Sequence, residues 1–91
     1  MAIRFTHIRL SGGTQHQHIT HLWWVNPATG ATGDNTRAEL VAWIEQGNDA
    51  FVGTGADRVQ VGVVDPPTGP KYLRTYADRQ WTNNLLALPR K

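Results

Sequence analysis

The sequence contains no cysteine among its 91 residues. This absence excludes disulfide bonds, zinc sites with thiolate ligands, iron–sulfur clusters and a cysteine nucleophile. The chain also lacks an apolar run of the roughly 18–20 residues that a membrane-spanning helix requires. Its N-terminal sequence, MAIRFTHIRL, alternates polar and apolar side chains and so lacks the apolar stretch of a signal peptide. We therefore expect a cytoplasmic protein that does not bind a membrane.

A large excess of charge of one sign is also missing. Nine basic residues oppose seven acidic residues, which gives a formal net charge of +2 at pH 7. Only two of the basic residues are lysines, and the seven arginines are scattered along the chain. A dedicated nucleic-acid-binding domain usually concentrates its basic residues on one face or in one run. The pattern therefore favours ordinary surface charge, with nucleic-acid binding kept as an alternative.

The residues that are present indicate one folded domain over residues 1–91. Hydrophobic residues make up 40% of the chain and charged residues 18%, whereas disordered chains have fewer apolar residues and more net charge. Period-two alternation and β-branched or aromatic residues predict strands. We assign strands to residues 3–10, 18–26, 58–64 and 71–76, with a shorter strand within 50–55. Residues 26–35, NPATGATGDN, are predicted to form a long loop.

The helix prediction depends on the sequence TRAE at residues 36–39. This is the pattern of a capping box, in which the Thr36 hydroxyl accepts from the Glu39 amide and the Glu39 carboxylate accepts from the Thr36 amide. An apolar stripe at helical spacing follows, consisting of Leu40, Val41, Trp43 and Ile44. Gly47 is expected to end the helix in a left-handed conformation.

The predicted order of elements is β-β-α-(β)-β-β. Neighbouring strands with short turns favour an antiparallel sheet of four to five strands, with the one amphipathic helix packed on one face. This is a two-layer α+β fold. The tail has no clean period, and its leucines, Leu85, Leu86 and Leu88, are expected to fold back onto the core.

Five short segments follow one another along the chain. They are ITH at residues 19–21, VGVV at 61–64, YLRT at 72–75, Asp78, and NNLLALP at 83–89. In this order they resemble a small bacterial and phage family catalogued as a domain of unknown function. The chain departs from that family in its 26–35 loop and its extra tryptophans. The resemblance supports the α+β fold and implies no activity, because the family has none assigned.

Three of the four histidines lie close together, at His16, His18 and His21. On a strand, His16 and His18 would share a face and His21 would lie on the opposite face. Two imidazoles fall short of the ligands of a zinc site. A metal site at His16 and His18 is therefore the third and least favoured interpretation, and no cofactor is expected. His21 is expected to donate to a local carbonyl or to Asp78.

The adjacent tryptophans Trp23 and Trp24 must face opposite sides of a strand. One is expected to pack under the helix near Trp43, and the other to lie on the uncovered face of the sheet. An exposed indole there would suit an interface, because indole is enriched at protein interfaces. The alternative is that the tail, with Trp81, covers that face.

No set of catalytic residues stands out. The only serine, Ser11, lies in a glycine turn outside any nucleophile elbow. The segment GTGADR at residues 53–58 lacks the Gly-Lys-Ser/Thr ending of a phosphate-binding loop. We therefore expect a protein that is not an enzyme.

The favoured hypothesis is a non-catalytic protein-interaction module that binds an unidentified protein partner through Trp23, Trp24 and Trp81. The alternative is nucleic-acid binding, with an affinity that falls steeply with salt. It would use an exposed aromatic side chain together with the scattered arginines Arg4, Arg9, Arg58, Arg74 and Arg79. The chain is expected to be a monomer, or a homodimer joined through an edge strand.

Overall fold

A computed structural model describes residues 2–77 and 79–91 of the chain. Over these residues the chain forms one α-helix and seven strands. The strands are β1 (Ala2–Leu10), β2 (Ile19–Val25), β3 (Thr32–Thr36), β4 (Asp49–Val52), β5 (Val59–Val64), β6 (Tyr72–Ala77) and β7 (Gln80–Thr82), and the helix is α1 (Arg37–Glu45). Single 3₁₀ turns at His16–His18 and Gly55–Asp57 precede β2 and β5.

The seven strands form one mixed sheet in the order β3-β2-β1-β4-β5-β6-β7. Neighbouring strands are antiparallel except β1 and β4, which are parallel. The parallel pair arises because α1 carries the chain from the end of β3 back to the opposite end of the sheet, so that β4 runs in the same direction as β3 and β1. The α+β class with one helix is confirmed. The prediction of a purely antiparallel sheet with four to five strands is wrong.

The two strands that the sequence analysis missed lie at the edges of the sheet. β3 has the sequence TGDNT, whose residue types are typical of turns. Its ladder with β2 runs from Thr36 opposite His21 to Thr32 opposite Val25, and this pairing overrides the local preference. β7 is three residues long, which is too short to show a period of two. Both edge strands therefore depend on their neighbours more than on their own sequences.

Helix α1 forms where its capping box predicts. Thr36 Oγ1 accepts from the Glu39 amide at 3.3 Å, and Glu39 Oε1 accepts from the Thr36 amide at 3.0 Å. Gly47 has a φ of +102°, as expected for a left-handed helix end. In the part of the chain that the structure describes, no helix has the length and apolar character needed to cross a membrane.

Helix α1 covers one face of the sheet, which we call the core face. The buried side chains of this core are Ile3, Phe5, Ile8, Ile19, Leu22, Leu40, Val41, Ala50, Val52, Val61, Leu73 and Leu85. Side chains that alternate with these along the strands project from the opposite side, which we call the open face. A bulge between Phe5 and His7 shifts the alternation within β1.

The segment after β7 packs on the core face, as expected. Leu85 is fully buried, and Leu86 and Leu88 pack against the core. Thr75 Oγ1 on β6 donates to the Thr82 carbonyl at 3.1 Å and accepts from the Leu85 amide at 3.4 Å. These hydrogen bonds tie the start of the tail to the sheet.

The end of the chain extends the sheet beside β1. β4 pairs with β1 only as far as Arg4. Further along β1, the Ile8 amide donates to the Pro89 carbonyl and the Lys91 amide donates to the Ile8 carbonyl, each at 3.0 Å. This pairing places the Lys91 side chain beside Trp23 on the open face.

Candidate functional site

The histidine-rich segment does not form the strand predicted for it. His16–His18 form a 3₁₀ turn, and β2 begins at Ile19. Only 5% of the surface of His16 is exposed, and its Nε2 atom has no hydrogen-bond partner within the described residues. Burial, with a smaller contribution from the positive charge of Arg74, lowers the pKa of His16 below its ordinary value of 6.5. The turn therefore places His16 inside the fold.

The geometry that a metal site at His16 and His18 would need is not present. In a 3₁₀ turn the two side chains do not share a face as they would on a strand. The ring of His18 packs against Gly13, and its Nδ1 accepts from the Gln15 amide at 3.1 Å. Among residues 2–77 and 79–91, no three His, Asp or Glu side chains lie close enough together to hold a metal ion.

Trp23 and Trp24 point to opposite faces of the sheet, as predicted. The indole of Trp24 lies over Gly33 on the core face, and its Nε1–H donates to Asn35 Oδ1 at 2.8 Å. Trp24 and Trp43 both pack against the core. Trp23 is therefore the member of the pair that lies on the open face.

Trp23 is surrounded by cationic and polar side chains. The guanidinium carbon of Arg9 lies 5.1 Å from the centroid of the Trp23 ring, and Lys91 Nζ lies 5.4 Å from it. Both distances allow a cation–π interaction. The His21 ring is 4.8 Å away, and His21 Nε2 is hydrogen-bonded to Asp34 Oδ1 at 2.8 Å. The site therefore combines an aromatic wall with groups that bind anions and groups that form hydrogen bonds.

A groove of about 420 Å³ lies beside this cluster, and we call it the Trp23 groove. Strands β1, β2 and β3 and the end of the chain supply its lining, which consists of Thr6, His7, Trp23, Trp24, Val25, Thr32, Gly33, Asp34 and Lys91. Its volume is within the range of about 300–1,000 Å³ that is usual for small-ligand sites. The groove is large enough for one planar aromatic group.

The other half of the open face also combines aromatic and basic side chains. The guanidinium carbon of Arg58 lies 3.7 Å from the centroid of the Phe51 ring. Tyr76 and Trp81 meet edge to face with their ring centroids 5.2 Å apart, and they are 40% and 43% exposed. The Trp81 ring lies over Gly62. The tail packs on the core face, so it leaves this aromatic pair uncovered.

The structure separates the five arginines considered for nucleic-acid binding. Those that project from the open face are Arg4, Arg9, Arg58 and Arg74. Arg74 donates to the Thr82 carbonyl and to Asn83 Oδ1, each at 3.0 Å, and so holds the tail. Arg79 lies between β6 and β7 with a φ of +65°. The three tryptophans considered for protein binding are divided as well, because Trp23 and Trp81 share the open face and Trp24 does not.

Sequence reasoning missed two residues of this surface, Asp34 and Lys91, and also the buried Phe51 that lies beneath Arg58. Asp34 lies in the segment predicted as a loop, and TGDNT has no alternation of apolar and polar residues that could have indicated a strand. Lys91 reaches the site only because the chain end pairs with β1. The other expected partner of His21, Asp78, lies outside the described residues.

Two of the segments that carry the family resemblance contact each other. Arg74 and Thr75, from YLRT, bond to residues 82–85 at the start of NNLLALP. These segments therefore maintain the fold by holding the tail against the sheet.

Fold and site together define a small α+β domain with a helix-covered face and an open face of aromatic and basic side chains. The chain belongs to a family of proteins of unknown function, DUF3892, whose sequence profile matches residues 4–89. The resemblance to a family catalogued as a domain of unknown function is thereby confirmed. No curated protein and no solved structure matched the chain.

Proposed function

We propose that this protein is a non-catalytic binding module whose open face binds a single-stranded nucleic acid. The observation that carries the proposal is the placement of cations against aromatic rings, with Arg9 and Lys91 at Trp23 and with the exposed Arg58 over Phe51. Phe51 itself is only 4% exposed, so at this position the Arg58 guanidinium plane is the accessible group. Proteins bind single strands with basic side chains that contact phosphates and with aromatic rings or guanidinium planes that stack on bases. The open face offers both kinds of group side by side.

The charge of the open face favours an anionic partner. Its basic side chains are Arg4, Arg9, Arg58, Arg74 and Lys91. The strand carboxylates Asp34 and Asp49 each have a hydrogen-bonding neighbour, at His21 Nε2 and at Gln60 Nε2 respectively. An acidic partner therefore meets an excess of positive charge, whereas a basic partner would be repelled.

The length of the open face suits a short stretch of a single strand. Trp23 on β2 and Trp81 on β7 are five strand positions apart in the sheet. At a strand spacing of about 4.8 Å this separation is roughly 24 Å before twist is considered. A site of this length is compatible with the lower end of the range of about 4–16 nucleotides bound by other small single-strand-binding domains.

The salt dependence of binding tests the proposal. A labelled oligonucleotide of about ten residues, such as oligo-dT or oligo-U, is titrated with the protein and followed by fluorescence anisotropy. If three phosphates are contacted, the slope of log K against log salt is expected to be about −2. A slope near zero, or no binding at low salt, would contradict the proposal.

Matched charge variants test the location of the site. Arg9→Gln and Arg58→Gln are each expected to weaken binding and to make the salt slope shallower by about 0.7. Lys71→Gln removes one charge as well, but Lys71 pairs with Glu45 of α1 at 2.7 Å, away from the open face. An equal loss of affinity in Lys71→Gln would mean that net charge, and not the open face, decides binding.

A protein partner is the second candidate, and the exposed pair Tyr76 and Trp81 favours it. These are the two most exposed large hydrophobic side chains of the described residues, and they are in contact. Exposed aromatic side chains are enriched among the residues that dominate the energy of protein interfaces. The pair therefore offers an anchor for an apolar group of another protein.

The two candidates are separated by capture experiments with and without nuclease. A protein partner that is retained after nuclease treatment, and lost on Trp81→Ala, would support the second candidate. Gln80→Ala on the same strand is the matched control, since Gln80 is exposed and not aromatic. Recovery that disappears with nuclease would support nucleic-acid binding.

A further inference from the structure

The core side of the molecule contains a second cavity, which is separate from the open face. Helix α1 does not close completely over β2 and β3, and a space of about 150 Å³ remains between them. We call this space the helix crevice. Its lining consists of Ile3, Trp24, Asn35, Glu39, Leu40 and Trp43. The lining is apolar apart from Asn35 and Glu39, so the crevice has an apolar interior with polar groups at defined positions.

Two indoles form the aromatic part of the crevice. Trp24 is fixed on one side by Gly33 and by the hydrogen bond from its Nε1–H to Asn35 Oδ1 at 2.8 Å. Trp43 projects from α1 and is half-buried. An apolar cavity of about 150 Å³ is large enough for a group the size of benzene. The crevice can therefore hold one compact group with a roughly spherical or planar body.

Glu39 supplies a negative charge at this cavity. Its Oε1 accepts from the Thr36 amide at 3.0 Å and from the Thr36 hydroxyl at 3.1 Å. These hydrogen bonds hold the pKa of Glu39 below its ordinary value of 4.5, so the side chain is a carboxylate at neutral pH. The carboxylate is exposed and is fixed in place by the capping box.

We propose that the helix crevice binds an alkylated ammonium group. The negative faces of indole rings attract cations, and quaternary ammonium groups are recognised by such aromatic walls. The methyl groups suit the apolar lining, and the positive charge is balanced by Glu39. A primary ammonium is strongly hydrated and loses more on entering an apolar site. An anion would be repelled by Glu39, and a neutral group would gain nothing from it.

The indole signals of the protein report on this site directly. The Nε1–H signals of the four tryptophans are assigned by single Trp→Phe variants and followed by NMR during titration. The probes are tetramethylammonium, choline and 3,3-dimethylbutan-1-ol, which is the uncharged isostere of choline. We expect tetramethylammonium and choline to shift the Trp24 and Trp43 signals with millimolar affinity and the alcohol to bind at least severalfold more weakly. Equal binding of choline and the alcohol would overturn the proposal.

A matched pair of glutamate variants tests the role of the charge. Glu39→Gln removes the carboxylate but keeps the capping box, because glutamine also completes it. We expect it to weaken choline binding about threefold to tenfold. Glu45→Gln removes a carboxylate from the same helix outside the crevice and is expected to leave binding unchanged. Unchanged binding in Glu39→Gln, or an equal loss in Glu45→Gln, would contradict the assignment.

A third experiment identifies which kind of molecule carries the alkylated ammonium group. Free choline is compared with a short peptide that contains trimethyl-lysine, which carries the same head group. Tighter binding of the peptide would point to a modified protein as the natural ligand, and tighter binding of choline to a small molecule. Absence of shifts at Trp24 and Trp43 with every ammonium probe would overturn the proposal. That result would leave the open face untouched, because the two sites share no charged residue.

Discussion

We predict that the buried side chain of His16 makes the fold sensitive to acid. Because burial lowers the pKa of His16 below 6.5, the unfolded chain binds a proton at this residue more readily than the folded protein does. The free energy of unfolding is therefore highest at pH values above 6.5, the ordinary pKa of histidine. It falls as the pH decreases from 6.5 towards the lower pKa of His16 in the folded protein. We expect the melting temperature to fall between about pH 7.5 and about pH 5.

The variant His16→Leu tests this prediction. Leucine cannot be protonated and removes the Nε2 atom that has no partner in the described residues. We expect a smaller loss of melting temperature on acidification and no large loss at neutral pH, because an apolar replacement of an unsatisfied polar group is often neutral. Gln17→Leu in the same turn controls for the added apolar side chain. A pH dependence in His16→Leu identical to that of the wild type would refute the assignment.

Two strand glycines allow a test of packing at the level of single atoms. A Cβ added at Gly33 would lie 2.5 Å from Trp24 Cζ2, whereas one added at Gly62 would lie 3.3 Å from Trp81 Cζ3. Gly33→Ala must displace a ring that packs on the core, and we expect a loss of about 1–3 kcal/mol in the free energy of unfolding. Gly62→Ala only moves an exposed ring, and a change within about 0.5 kcal/mol is expected. Denaturant titration of both variants measures the two changes in the free energy of unfolding. Equal changes in Gly33→Ala and Gly62→Ala would be inconsistent with the structure.

At the candidate site, the sequence predicted the side-chain orientations that follow from the alternation of residues along a strand. It did not predict the contacts that depend on which segments pair in the sheet. The opposite orientation of Trp23 and Trp24 follows from the period of a strand and is confirmed. The contacts of Trp23 with Lys91 and of His21 with Asp34 join residues that are far apart in the chain. No local pattern specifies such contacts, so sequence reasoning named Trp23 and Arg9 but not Asp34 and Lys91.

The start of α1 is the element most clearly determined by its own sequence. Thr36→Ala removes the hydroxyl that accepts from the Glu39 amide, and we expect a loss of about 1 kcal/mol. Thr32→Ala is the matched control, because Thr32 lies on the same strand and is also exposed, but caps no helix. Thermal unfolding of the two variants measures the difference. Equal melting temperatures would show that the capping box contributes nothing measurable.

The hydrogen bonds between β6 and the tail form a second element whose contribution is measurable. Thr75 is fully buried, and its Oγ1 also accepts from the Thr82 hydroxyl at 2.6 Å. Thr75→Val keeps the shape but leaves the Leu85 amide and the Thr82 hydroxyl without this partner. We expect a loss of about 1–3 kcal/mol.

The exposed residue Thr20 provides the control for this prediction. Its Oγ1 donates to the Arg9 carbonyl at 3.4 Å in an exposed position, so Thr20→Val is expected to change stability by less than about 0.5 kcal/mol. Urea titration of Thr75→Val and Thr20→Val measures the free energy of unfolding of each variant. If Thr75→Val is as harmless as Thr20→Val, the tail is held by its buried leucines alone.

The same contrast between local and distant information explains the errors in the predicted sheet. The capping box of α1 and the strands β5 and β6 each lie within short segments, and all three were predicted. The parallel pairing of β1 with β4 joins residues about 47 positions apart, and it follows from the path of the chain through α1. β3 is a strand because β2 offers it a partner, although TGDNT by itself favours a turn.

For the molecule as a whole, the sheet divides the four tryptophans into two pairs. Trp23 and Trp81 lie on the open face, and Trp24 and Trp43 line the helix crevice. The open face carries the excess of basic side chains, and the crevice carries Glu39. The two proposals therefore place chemically different ligands on opposite sides of one small sheet.

The most direct test of nucleic-acid binding at the open face is to follow the indole Nε1–H signals during titration with a single-stranded oligonucleotide at low salt. The account predicts shifts of the Trp23 and Trp81 signals that are reversed by added salt, while the signal of Trp43, which does not line the Trp23 groove, stays in place. Shifts confined to Trp24 and Trp43, or no shift of any indole signal, would contradict it.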